Sequence, residues 1–93
     1  MLERIRFQAS VADDLVVLLD FYESYTVEIA NRIKESLNRT FQLIETNPEM
    51  YAVVYDDIRL VKTKRYPVLV KYKIDSGIPL ILAVFHSKSE PKT

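Results

Sequence analysis

The chain has 93 residues, no cysteine, 13 basic and 13 acidic side chains, and is 48% hydrophobic. That length supports one hydrophobic core, and the composition is that of a chain that folds; without thiols there is no disulfide framework, thiolate zinc site or cysteine nucleophile. Zero net charge argues against indiscriminate nucleic-acid binding, the lack of cysteine fits a reducing cytoplasm, and an amino terminus without a long apolar core or small-residue cleavage site, with no apolar run of membrane-spanning length, indicates no membrane role.

Glu3 to Gln8 alternates, Ile5 and Phe7 facing one way and Arg4 and Arg6 the other, which predicts a half-buried first strand. Ser10 with Asp13 three residues on reads as a capping-box start. From Val11 the positions Ala12, Leu15, Leu18, Leu19 and Tyr22 follow a helical repeat, predicting a helix that ends near Tyr25. A second repeat, Ile29, Ile33, Leu37, Phe41 and Ile44, follows a break around Ser24 to Thr26 that permits only an antiparallel return, and Asn47-Pro48 stops it. From Tyr51 onward β-branched and aromatic residues dominate, with breaks at Asp56-Asp57, Tyr66-Pro67 and Ser76-Gly77, and three further strands are predicted. In the stretch from Val68 to Ile74 the alternation puts Val68, Val70, Tyr72 and Ile74 on a core face and Leu69, Lys71 and Lys73 on a basic one. Leu80 to Phe85 is apolar on both faces, as for a central strand, and His86 lies at its end. The expected fold is α+β: an N-terminal strand, then an antiparallel helical hairpin packed on a mostly antiparallel sheet of about four strands, all in one domain over residues 1–93.

Charge is unevenly spread. Residues 1–57 carry a net −6 and residues 58–93 a net +6. Arg59, Lys62, Lys64, Arg65, Lys71 and Lys73 fall between Ile58 and Ile74 with no carboxylate among them. Such a run either attracts phosphate or acidic protein or forms a solvated sheet face. His86, the one histidine, is the natural general acid or base near neutrality, or a strand-end residue bonded to neighbouring backbone. Tyr72 either stacks on a base or packs in the core. The acidic side chains Asp13, Asp14, Asp20, Glu23, Glu28 and Glu35 show no metal-ligand spacing and read as a solvated helix face. One glycine leaves no phosphate-cradling loop, and neither a cofactor nor a metal is expected.

Taken in order, these features resemble the ParE/RelE superfamily of bacterial type II toxins. The resemblance rests on Ala12 with Asp14-Leu15, Asn47-Pro48, Ile58-Arg59, Arg65-Tyr66-Pro67 with Tyr72, and Leu82-Ala83-Val84-Phe85-His86 followed by Pro91. It departs at Val68, where many relatives have tyrosine after the proline, and at Ser89, where arginine is usual and Lys88 is a partial substitute. The resemblance implies a growth-inhibiting toxin held by a cognate antitoxin. It acts on translation as a ribosome-dependent, metal-independent endoribonuclease or on DNA gyrase, unless the chain is a non-toxic, degenerate binding module. In the RNA-cleaving version Arg59, with Lys62, Lys71 or Lys73, holds phosphate and His86 transfers protons, so Arg59 and His86 should share one groove. Lys64, Arg65, Tyr72 and Lys88 are the further target-binding candidates. The antitoxin is expected to dock on the helical hairpin or a sheet edge and to cover the basic groove, in a homodimer or a toxin–antitoxin hetero-oligomer.

Overall fold

A computed structural model describes residues 4–89. In chain order the elements are β1 (Arg6–Phe7), α1 (Ser10–Glu23), α2 (Val27–Thr46), β2 (Val53–Tyr55), β3 (Ile58–Lys62), β4 (Val68–Asp75) and β5 (Ile78–His86), closed by a 3-10 turn over Ser87–Ser89. The strands form one sheet in the order β1-β5-β4-β3-β2, parallel between β1 and β5 and antiparallel elsewhere. The sheet has five strands rather than about four. Asp56-Asp57 is a tight turn, with Asp56 at φ 42°, that folds the short, exposed Val53–Tyr55 back onto β3 as an edge strand.

The helical hairpin is where the periodicity placed it, but α1 starts differently. Ala9 already has helical dihedrals and no side chain caps the helix, so Ser10 is its first turn rather than its cap. The Ser10 hydroxyl accepts from Gln8 Nε2 at 3.3 Å instead. The serine or threonine cap belongs to α2, where Thr26 Oγ1 accepts from the Ile29 amide at 3.0 Å. Along α2 the residues Ala30, Ile33, Leu37, Phe41 and Ile44 are buried at helical spacing. They meet Val68, Val70 and Tyr72 of β4, none of which retains any exposure. Removing a buried aliphatic such as Ile44 leaves a cavity and costs about 2–5 kcal/mol. Ala12, in contrast, is exposed, and Val11 takes its place in the core.

The β4–β5 hairpin turns through Ser76 and Gly77, both at positive φ (54° and 79°), between the paired residues Asp75 and Ile78. Two residues in the left-handed region make the turn whose twist suits a two-residue hairpin. Farther along, Lys71 pairs with Ala83 but its neighbour Tyr72 pairs with Ile81, so Leu82 is an extra residue in β5. This bulge inverts the alternation of β5. Without it Ile81, Ala83 and Phe85 would share a face; with it Ile81, Val84 and His86 point with Tyr72, Val70 and Val68 toward the helices. β1 pairs only as far as Phe7 with Ile81, and the Gln8 amide adds a bond to the Ile81 carbonyl at 2.9 Å. Just beyond, the Val84 amide donates to Asp14 Oδ2 of α1 at 3.1 Å. Asp14 is thus a structural partner of the sheet rather than part of a solvated helix face.

Asp14→Ala leaves the Val84 amide without its acceptor. The expected loss is about 1–3 kcal/mol in urea unfolding, with faster amide exchange at Val84 than at Val70. Unchanged exchange at Val84 would show that the carboxylate does not hold the bulge.

Candidate functional site

The nine residues singled out in the sequence fall in four places. Arg59 and Tyr72 are paired across β3 and β4 and face the helices, where they close on the loop that leaves α2. The Tyr72 hydroxyl donates to the Pro48 carbonyl at 2.6 Å, and Arg59 Nη1 donates to the Tyr51 carbonyl and, at 3.5 Å, to that of Glu49. Burial, only partly opposed by the nearby Arg59 charge, raises the Tyr72 pKa above its ordinary 10.0. Through these bonds the two side chains hold the loop that leaves α2.

His86 lies two strands from Arg59, opposite Val68 rather than opposite Tyr72, which puts the two about 16 Å apart from strand spacing and rise. The expected shared groove of Arg59 and His86 is not formed. The bulge at Leu82 turns His86 toward α1, where its ring stacks on Tyr22 at 6.2 Å and meets Phe21 edge-on at 6.3 Å. Its Nδ1 accepts from the Lys88 amide at 3.2 Å. His86 and Lys88 line a cleft of about 480 Å³ with Asp14, Val17, Leu18 and Phe21 of α1. Around it α1 exposes Val17 and Phe21, and Tyr25 in the turn after the helix is exposed as well, the three spaced four residues apart.

Lys71 and Lys73 lie on the sheet face away from the helices, Lys71 Nζ resting 5.9 Å from the centre of the Phe85 ring. Lys62, Lys64 and Arg65 come together in a groove of about 620 Å³ between α2 and the β3–β4 loop. Its opposite wall supplies two cations that the sequence reading missed, Arg32 and Arg39. A signal for them existed: Arg32, Ser36, Arg39 and Leu43 recur at offsets of four, seven and eleven and so share one helical face. They were hidden by the net negative charge of the surrounding half of the chain. Glu35 is the one carboxylate among the lining residues. Pro91 of the tail lies outside the described residues, within which no group of three or more metal-ligating side chains occurs. No helix among the described residues is long and apolar enough to cross a membrane.

A family model described as "ParE toxin of type II toxin-antitoxin system, parDE" matches residues 5–91. Among solved structures the fold is similar to a chain of a chromosomal ParDE toxin–antitoxin system from P. aeruginosa. The TM-score is 0.78 at 15% sequence identity, over 91% of this chain and 96% of that one. Among curated proteins none matches.

Arg59→Ala should behave as a folding lesion, destabilising the chain by about 1.5–3 kcal/mol through the loss of a charged donor to two carbonyls; wild-type stability would contradict the assignment. Tyr72 also makes stability pH-dependent. Its folded pKa exceeds the unfolded value, so the unfolded chain releases the proton first, and stability present below pH 10.0 falls as pH rises through the folded pKa. Alkaline unfolding followed by circular dichroism should show a shallower decline for Tyr72→Phe than for the wild type.

Proposed function

Because the chain belongs to the ParE toxin family of type II toxin–antitoxin systems, we propose that it is a growth-inhibiting toxin whose target is DNA gyrase rather than mRNA on the ribosome. One observation carries this choice: Arg59 is engaged by loop carbonyls while His86 faces α1 at the far end of the sheet. Metal-free cleavage of RNA needs a base for the 2′-hydroxyl, cationic donors at the phosphate and an acid for the leaving oxygen, all converging within hydrogen-bond reach. A histidine whose ring lies against Tyr22 and Phe21, on backbone about 16 Å from that of the arginine, does not favour that convergence. Inhibition by binding a protein requires no proton transfer, only complementary surface, and the groove and the apolar side chains at α1 offer surface of two kinds.

In the same reading a cognate antitoxin neutralises the toxin in the cytoplasm, as part of a module that stabilises the replicon carrying it. Its docking segment is an amphipathic helix laid along Val17, Phe21 and Tyr25, which are 71%, 50% and 66% exposed. Large apolar side chains repeated at helical spacing and left exposed mark a surface that a partner covers.

Induction of the protein alone in a bacterial host, with mRNA cleavage and the DNA-damage response scored together, tests this. Growth arrest with a DNA-damage response, kept in His86→Ala, is the expected outcome, along with inhibition of purified gyrase. Arrest with mRNA cuts that vanish in His86→Ala would establish the ribonuclease reading instead, and absence of arrest would leave an inert binding module. Phe21→Asp should weaken neutralisation by the antitoxin at least about tenfold, read as Kd, without reducing toxicity.

A further inference from the structure

We propose that the groove between α2 and the β3–β4 loop is a binding site for an extended, acidic peptide segment of a partner protein, in which acidic and apolar residues alternate. Such binding does not require the chain to be a toxin. The two walls are cationic, Arg32 and Arg39 on α2 facing Lys62, Lys64 and Arg65 on the sheet side, while Leu43, Val61 and Tyr66 supply apolar surface between them. Arg32 and Arg39 are two helical turns apart, about 10 Å along the axis, and the wall from Arg32 to Leu43 runs about 16 Å. An extended segment of about five residues spans that length, with its alternate side chains on one side about 7 Å apart. Three carboxylates at alternate positions thus reach both arginines and the opposite lysines, and the residues between them face the apolar floor. The single carboxylate on the wall, Glu35, leaves a clear excess of positive charge.

The walls are held relative to one another before any ligand arrives. The Ser36 hydroxyl of α2 donates to the Lys64 carbonyl at 3.2 Å, and the buried Thr63 donates through Oγ1 to the Tyr66 carbonyl at 3.3 Å and through its amide to the Val68 carbonyl at 2.9 Å. Within this short loop Arg65 takes φ 77°, a left-handed conformation that a side chain with a Cβ rarely adopts. Glycine would satisfy that turn more easily, so the presence of arginine places a charge on the groove at a conformational cost. Tyr51 closes the groove beside Val61, its carbonyl fixed by Arg59. A polyanionic nucleic acid is the less suited occupant: the chain as a whole carries no net charge to draw it in, and half of the lining is apolar side chain and hydroxyl rather than cation.

The test uses the full chain and a dye-labelled peptide Glu-Val-Glu-Val-Glu, its Gln-Val-Gln-Val-Gln counterpart, and a single-stranded RNA of similar length, followed by fluorescence anisotropy. The acidic peptide should bind, the glutamine peptide should bind at least about tenfold more weakly, and Arg32→Ala with Arg39→Ala should weaken the acidic peptide at least about tenfold. Both arginines are exposed, and an unchanged melting temperature for the double variant confirms that the fold persists. Arg65→Gly should likewise weaken the peptide while leaving the melting temperature equal or higher. Equal binding of the two peptides, no response to the arginine variants, or RNA bound in preference to the peptide would each overturn the proposal, the last by making the groove a nucleic-acid site.

Discussion

One extra residue in β5 decides which side of the sheet the end of that strand serves. Leu82 has no partner on β4, and beyond it every side chain of β5 changes face, so that Val84 joins the core and His86 turns to α1. An amide left open beside such a bulge would be costly, and Asp14 reaches across from α1 to accept it. The carboxylate therefore links the first helix to the strand at the point where the alternation breaks. The contact of the histidine with the Phe21 and Tyr22 rings, and its place in the cleft beside them, follow from that side change.

A second constraint acts at the opposite end of the sheet. The loop leaving α2 must pass from a helix end stopped by Asn47-Pro48 to the edge strand β2, and its carbonyls at Pro48, Glu49 and Tyr51 are met by Tyr72 and Arg59. Tyr72 is wholly buried, and its hydroxyl is satisfied only through that loop. The interaction gives the arginine on the helix-facing side of β3, beside Val61, a structural task in holding that loop. Elsewhere the described residues present two surfaces of different kind, an apolar one on α1 and a cationic groove on α2.

These surfaces lie on the two arms of the same helical hairpin, and they differ in kind. The apolar surface at α1 is made of side chains that folding left outside, Val17 and Phe21 of the helix and Tyr25 of the turn after it, while the helix packs into the core through Val11, Leu15 and Leu18. The α2 groove is made where helix and strand loop approach without closing, bridged by Ser36 and Lys64. A protein with no net charge in this way presents one exposed surface that is apolar and another that is cationic.

Local pattern by itself determined much of this molecule. The 3.6-residue repeats marked both helices, Asn47-Pro48 marked the end of the second, and the alternation over Val68 to Ile74 separated core from basic face, because side-chain direction follows directly from helical or extended backbone. The order of elements also carried the family. Tertiary structure decided the rest. The bulge at Leu82 was invisible because β5 is apolar on both faces, so no break in pattern recorded the change of side. The commitment of Arg59 was invisible because its partners are main-chain carbonyls, which every residue possesses. The cationic groove was half legible, as a basic run in Lys62, Lys64 and Arg65. Its other wall, Arg32 and Arg39, belongs to a helix thirty residues earlier in a net acidic half of the chain, and only the packing of α2 against the β3–β4 loop brings the two together.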